Sequence, residues 1–330
     1  MVSRINIPNT DLNVSRLCLG TASLGTSQSE AEGQALLDRY LDLGGNFIDT
    51  ARVYSDWIEG ERGRVERIMG DWLRKNPGQR ERFVLATKGM AYDWPEKAYN
   101  RVTYEYARMD IEKSLEALGV DEIDLYFLHR DSLTLSPEEI VDFLQVFIEE
   151  GKIRYLGVAN WNAERLEAAN AYAKKEGKHG FVVNQPQFSL ASWNMNPMPD
   201  PTLFHVDKAT YDYHLRENMA ITPYSSQALG FFTKLLGEVE VEQDALKKNR
   251  FYNETNLKVA EVVRELAEKK GCNANGIVLG YLVNQPIPIV PIVGCYNELQ
   301  LDDSLKAVAV QLTADELQAL ENAADTGISH

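Results

Sequence analysis

A chain of 330 residues, 44% hydrophobic and 25% charged, has the composition of an ordinary globular protein and is long enough for two average domains or one large barrel. Its 34 basic and 49 acidic residues give a formal net charge of −15, which argues against a general nucleic-acid surface; an anionic ligand would need locally arranged donors. The three cysteines, Cys18, Cys272 and Cys295, are far apart and form no C-x-x-C pair, which excludes a disulfide framework or zinc pattern and fits a reduced, cytoplasmic setting.

The first twenty residues lack the continuous apolar core of a signal peptide. The most membrane-like window, IVLGYLVNQPIPIVPIVG at 277–294, is interrupted by Asn284, Gln285 and three prolines, and it reads as the end of a buried helix followed by a buried strand. Neither membrane nor nucleic acid is expected as a partner.

Short β-rich apolar runs alternate with longer helical patterns along nearly the whole chain. In order they are RLCLGTASL from 16, NFIDTA from 46, RFVLATKG from 82, EIDLYFLHR from 122 and IRYLGVANW from 153. FVVNQPQF from 181, AITPYSS from 220 and a last run near 290 ending in Gly294 complete a set of eight. Between them lie amphipathic stretches such as EAEGQALLDRYLDLGG and SPEEIVDFLQVFIEEGK. Ser136-Pro137-Glu138-Glu139 reads as a helix N-cap followed by proline in the first turn, and Gly44, Gly119 and Gly151 read as helix ends.

Continuous apolar runs suit strands buried on both faces, hence a parallel sheet covered by helices. Eight βα units in succession favour a closed (β/α)8 TIM barrel, α/β in class, over an open doubly wound sheet. The latter would need a G-x-G-x-x-G turn after an early strand, and none is present. No linker interrupts residues 1–330, so one domain is expected. Three long connections, 89–102, 187–206 and 227–252, follow strands and would project from the C-terminal face, where barrel enzymes keep their sites.

The strand ends carry polar groups. Asp49 ends the second run with Tyr54 just beyond it, Lys88 ends the third and His129 the fourth. Singly, each has an ordinary reading: a loop cap, a solvated lysine, a satisfied core histidine. In a barrel these ends converge on one mouth, and that convergence makes them candidate catalytic residues.

The segments F-I-D-T-A with its following tyrosine, A-T-K and D-L-Y-F-L-H resemble the catalytic tetrad of the aldo-keto reductases. I-R-Y-L-G-V-A-N, V-N-Q and P-Y-S extend the resemblance across residues 4–321. It implies an NAD(P)H-dependent reduction of an aldehyde, ketone or sugar-like carbonyl to the alcohol, with a small-molecule carbonyl or alcohol as partner. Tyr54 would be the proton donor, tuned by Lys88; Asp49 would hold Lys88, and His129 would orient the carbonyl oxygen. An ammonium about 4 Å from a phenolate at an effective dielectric near 20 favours the phenolate by roughly 4 kcal/mol, about three pKa units before desolvation opposes it. No H-x-x-H or carboxylate cluster calls for a metal.

The resemblance also implies a cofactor site. Gly20, Thr21 and Asp49 would border it, Asn160 and Gln185 would hold the carboxamide, and Tyr224 would stack on the nicotinamide. Ser225, Gln227, Leu229 and Gly230, with Lys234 as countercharge, would run beside the pyrophosphate. The adenosine end would involve Gly294, Tyr296, Gln300 and Asp303. Ala159 stands where many relatives have serine, and Ser226 and Gln227 where proline and leucine are usual. NADP(H) is the expectation on family grounds; Tyr296 and Gln300 stand at positions where relatives carry arginine, and losing such charge-assisted phosphate contacts makes NAD(H) the alternative. Trp57, Trp94 and Trp193, with Asn160, are candidate substrate walls. Tyr92, Phe204 and His205 are further candidate pocket walls, and with Asp56, Asp131 and Asn194 the set would suit a polar carbonyl or sugar-like substrate by stacking plus hydrogen bonding. Arg130 would face the pocket or pair with Asp131. The other reading of the barrel is a redox-sensing regulatory subunit, as the potassium-channel β subunits of this family are.

Overall fold

The computed structural model describes residues 2–92, 101–193, 200 and 202–325. Eight parallel strands form its centre: β3 (Cys18–Gly20), β4 (Phe47–Asp49), β5 (Val84–Gly89), β6 (Ile123–Leu128), β7 (Ile153–Ala159), β8 (Phe181–Gln185), β9 (Ala220–Ile221) and β10 (Ile292–Gly294). Their order around the sheet is β10-β3-β4-β5-β6-β7-β8-β9. The two ends meet through Val290 N donating to Ile221 O at 2.9 Å and Ile292 N to Pro223 O at 3.0 Å. The sheet is therefore curled into the expected (β/α)8 barrel, and all eight apolar runs supply a strand.

The helices follow in turn: α1 (Glu30–Asp42), α2 (Arg64–Lys75), α3 (Tyr104–Leu118), α4 (Pro137–Glu149), α5 (Ala163–Glu176) and α6 (Lys208–Glu217) each succeed one strand. After β9 come α7 (Phe231–Leu235), α8 (Gln243–Lys247), α9 (Glu254–Lys270) and α10 (Ala274–Val283); α11 (Glu298–Ala307) and α12 (Ala314–Ala324) close the chain. Local chemistry sets several ends. Ser136 caps α4 in a capping box with Glu139, and Gly119, at φ 68°, ends α3 in the left-handed region. The 227–252 connection is more ordered than a plain loop, since it contains α7 and α8. The membrane-like window resolves into α10, buried at every position, and β10; a helix apolar all round belongs in a core. No helix among the described residues is long and apolar enough to cross a membrane.

Inside the barrel Phe47, Ala86, Leu125, Phe127, Val183, Ala220 and Val290 pack together. A hairpin that the alternating pattern does not announce, β1 (Arg4–Asn6) and β2 (Asn13–Ser15), brings Ile7, Leu12 and Val14 into the same cluster. The hydrophobic interior is thus closed on the side away from the strand C-termini. Gly157 on β7 leaves room for the Phe127 ring: a Cβ there would lie 2.6 Å from Cδ1 and Cε1. Gly157→Ala should therefore lower stability by about 1–3 kcal/mol through overpacking. An unchanged urea midpoint in this variant would show that the interior has slack the packing denies.

Candidate active site

Parallel pairing with fixed register aligns the strand ends. Gly294 is opposite Gly20, Gly20 opposite Asp49, Lys88 opposite Phe127, and Ala159 opposite Gln185. Side chains leaving these ends share one mouth.

Lys88 is 1% exposed, and its ammonium finds three acceptors: Asp49 Oδ2 at 2.5 Å, the Thr50 carbonyl at 2.7 Å and Tyr54 Oη at 3.0 Å. Three N–H donors meet three oxygens, so the buried charge is satisfied. Thr50 enters through its backbone, which no side-chain pattern reveals. Asp49, also 1% exposed, accepts a further bond on Oδ1 from Gln185 Nε2 at 3.0 Å. The loop carrying Tyr54 is fastened by Arg52 N donating to Lys88 O at 2.9 Å and by Gly63 N donating to Asp56 Oδ1 at 2.7 Å. The His129 ring stands edge-on to Tyr54, with centroids 6.3 Å apart, and its Nδ1 is buried without a hydrogen-bond partner among the described residues.

Burial works against the charged form of Lys88, but Asp49 and Tyr54 outweigh it and leave the pKa raised. Burial dominates at Tyr54: despite the lowering influence of Lys88, its pKa lies above the ordinary value of 10. The net shift is opposite to the Coulomb-only expectation, because a desolvated phenolate costs more than one ammonium returns. Burial, then the charges of Arg130 and Lys88, hold His129 well below the usual histidine range, so the imidazole is neutral at neutral pH.

Around this group stand the other candidates. Asn160, with φ 65°, accepts on Oδ1 from Tyr224 Oη at 2.8 Å and Phe204 N at 3.1 Å, while its buried Nδ2 has no partner among the described residues. Thr21 donates through both N and Oγ1 to Asp49 O at 3.0 Å. From Gln227 the chain turns through three successive left-handed residues, Ala228, Leu229 and Gly230, and Ser225 is left-handed as well. Lys234 Nζ donates to Leu229 O at 2.8 Å across this turn.

At the far end, several side chains are committed to each other. Gln300 Oε1 accepts from Tyr296 N at 2.8 Å. Asp303 accepts from Asn273 Nδ2 and Asn275 Nδ2 at 2.6 and 2.7 Å. Gln227 Nε2 donates to Asn275 Oδ1 and Ser304 Oγ. Asp302 pairs with Arg39 on α1 at 3.0 Å. Tyr296 is exposed, and no atom comes within 4 Å of a Cβ built on Gly294.

The proposed substrate walls divide. Trp57 is 48% exposed on the loop beyond Tyr54. Trp193 packs on Phe251 with centroids 6.2 Å apart, against the cluster formed with α7, α9 and α10. Trp94 and Asn194 lie outside the described residues. Asp56 and Asp131 serve their loops, the second through an ion pair with Arg165 at 2.7 Å, so Arg130 and Asp131 do not pair with each other. His205 Nδ1 contacts Gln187 Oε1.

The family model for the Aldo/keto reductase family matches residues 16–325. Norsolorinic acid reductase B of Aspergillus parasiticus is 31% identical over 98% of this chain and 85% of its own length. Norsolorinic acid reductase stcV of Emericella nidulans is 28% identical over 97% and 80%. An aryl-alcohol dehydrogenase [NADP(+)] of Phanerodontia chrysosporium is 28% identical over 96% and 84%. With the model spanning nearly the whole barrel, the chain belongs to the aldo/keto reductase family and is an NAD(P)-dependent oxidoreductase.

Proposed function

We propose that the enzyme reversibly reduces an aldehyde, ketone or sugar-like carbonyl at this mouth, with Tyr54 as the general acid. The observation that carries the reading is Tyr54 Oη 3.0 Å from the Lys88 ammonium, itself saturated by Asp49 and Thr50. The residues present suit a nicotinamide. The buried Nδ2 of Asn160, without a partner among the described residues, is a donor suited to a carbonyl such as a carboxamide oxygen, and the exposed ring of Tyr296 and the left-handed turn at 228–230 would receive the rest of the dinucleotide. Asn160, Gln185 and Tyr224 would hold the nicotinamide, and the bound reduced ring would supply hydride to the carbonyl carbon.

The chain's own residues manage the proton. Tyr54 keeps its hydrogen at neutral pH, as any phenol with a pKa of 10 or above does, yet gives it up to an oxygen that becomes an alkoxide, a far stronger base. Lys88 then stabilises the phenolate left behind, and Asp49, tied to Gln185, keeps Lys88 in place. Neutral His129 can donate one hydrogen bond to the carbonyl oxygen without competing for the proton. In the oxidative direction Tyr54 must first lose its proton, so oxidation gains with rising pH.

NADP(H) is the proposed cofactor, in line with the relative whose name carries NADP(+); Arg39, although paired with Asp302, is the cation on α1 that faces α11. Parallel fluorescence titrations with NADPH and NADH test this: tighter NADPH binding is expected, and equal or tighter NADH binding would reassign the cofactor.

Tyr54→Phe should abolish aldehyde reduction in a steady-state assay while cofactor affinity stays within a few-fold; full activity in this variant would remove the acid role. Lys88→Met should also silence turnover, since the phenolate loses its counter-ion; retained wild-type turnover would end the lysine's role. In the unaltered enzyme the acid form of Tyr54 is present below its raised pKa, and His129 stays neutral. The reduction rate should therefore be flat between the ordinary histidine value of 6.5 and the ordinary tyrosine value of 10, and fall only above it. A rate that falls with a midpoint near neutral pH would contradict this assignment.

A further inference from the structure

Arg130 follows His129 directly and has no part in the proton path. Its guanidinium lies over the Tyr92 ring, 5.4 Å from the centroid, and Nη1 donates to the His129 carbonyl at 2.9 Å. Those contacts fix the group at the end of β6. Nη2 is 3.7 Å from Asp200 Oδ2, within ion-pair range but too far for a hydrogen bond, and Nε is buried with no hydrogen-bond partner among the described residues. Asp200 is engaged elsewhere: its Oδ1 accepts from Thr202 N at 2.9 Å and Thr202 Oγ1 at 2.6 Å. Other arginines in this protein hold their carboxylates closely, Arg101 with Asp110 at 2.8 Å and Arg154 with Asp124 at 2.7 Å.

The Nε–Nη2 edge of a guanidinium is a fork matched to the two oxygens of a carboxylate or phosphate. Among the described residues this edge of Arg130 has one loose counter-ion, although the side chain is just 14% exposed. A desolvated cation left so is costly, and an incoming anion would complete its pairing. Its place is the reaction mouth, between the segments that follow β5, β6 and β8. Beyond the dominant influence of burial, its charge acts on Tyr54, His129 and Tyr224, the three rings around the candidate centre. On a chain of net charge −15, a local cation is also what would admit an anionic substrate.

We propose that Arg130 is a specificity-determining residue that selects carbonyl substrates bearing a carboxylate or phosphate, gripped by its Nε–Nη2 edge with Asp200 as the weak resident competitor. This rests on the carbonyl-reductase reading above.

The test compares matched substrates in steady-state assays: 4-carboxybenzaldehyde against 4-methylbenzaldehyde, and glycolaldehyde phosphate against glycolaldehyde. The unaltered enzyme should favour the charged member of at least one pair by about ten-fold or more in kcat/KM, chiefly through KM, as a charge-assisted hydrogen bond would give. Which pair responds tells carboxylate from phosphate. Arg130→Met should erase the preference, Arg130→Lys should keep part of it, and Asp200→Asn, by removing the competitor, should enlarge it. A merely structural tie between loops predicts instead that Arg130→Met and Asp200→Asn depress all four substrates alike, and that result would overturn the proposal. So would equal efficiency on charged and neutral members in the unaltered enzyme, which leaves the reductase reading intact. Failure to reduce any of the four would remove both.

Discussion

A single buried cation organises the mouth of this barrel. Lys88 is almost wholly removed from water, and an ammonium in that position persists only if every donor is matched. Its three partners come from one neighbouring strand end and the loop that follows: a carboxylate from Asp49, a main-chain carbonyl from Thr50 and a phenol from Tyr54. That set is possible because β4 and β5 are parallel neighbours in register, with Asp49 opposite Ala86, two residues before Lys88. Gln185 on β8 ties the carboxylate to the far side of the barrel, so the charge is held from opposite walls.

The same burial decides the acid–base character of the site. The ammonium near Tyr54 favours the phenolate, but taking the phenol out of water opposes it more strongly, and the net direction is upward. Tyr54, protonated at neutral pH as an ordinary phenol is, thereby stays so to higher pH, the state a proton donor needs. His129 is pushed the other way and kept neutral, its free Nδ1 buried. The environment thus widens the gap that already separates the titrations of two ring systems 6.3 Å apart. Arg130 adds to the positive charge, and its partly unmatched fork is, with His129 Nδ1 and Asn160 Nδ2, one place where the site departs from a self-satisfied network.

On the side proposed for the cofactor the pattern is reversed, for most side chains are paired with each other. Asp303 is held by Asn273 and Asn275, Gln227 bridges Asn275 and Ser304, and Gln300 caps the Tyr296 amide. These bonds bolt α11 to the start of α10 and to the left-handed turn at 228–230. The expectation that Gln300 and Asp303 meet a cofactor directly has to be weighed against these commitments, whereas Asn160 keeps its free donor.

The sequence alone determined the eight apolar runs, their alternation with helical stretches and hence the closed parallel barrel, because a strand buried on both faces must be apolar throughout. It also marked Asp49, Lys88 and His129 as strand-end polar residues, since a charge at the end of such a run has few purposes. It could not reveal the hairpin β1–β2, whose short strands carry little periodicity, nor the Thr50 carbonyl, which every residue possesses. Only the tertiary structure decided that Gln185 reaches Asp49 across 136 positions, that Trp193 packs against Phe251, and that Arg130 turns to Asp200 while Asp131 takes Arg165. The sign of the Tyr54 shift belongs there too. Coulomb attraction can be guessed from residue types, but desolvation depends on how completely the folded chain excludes water from one hydroxyl.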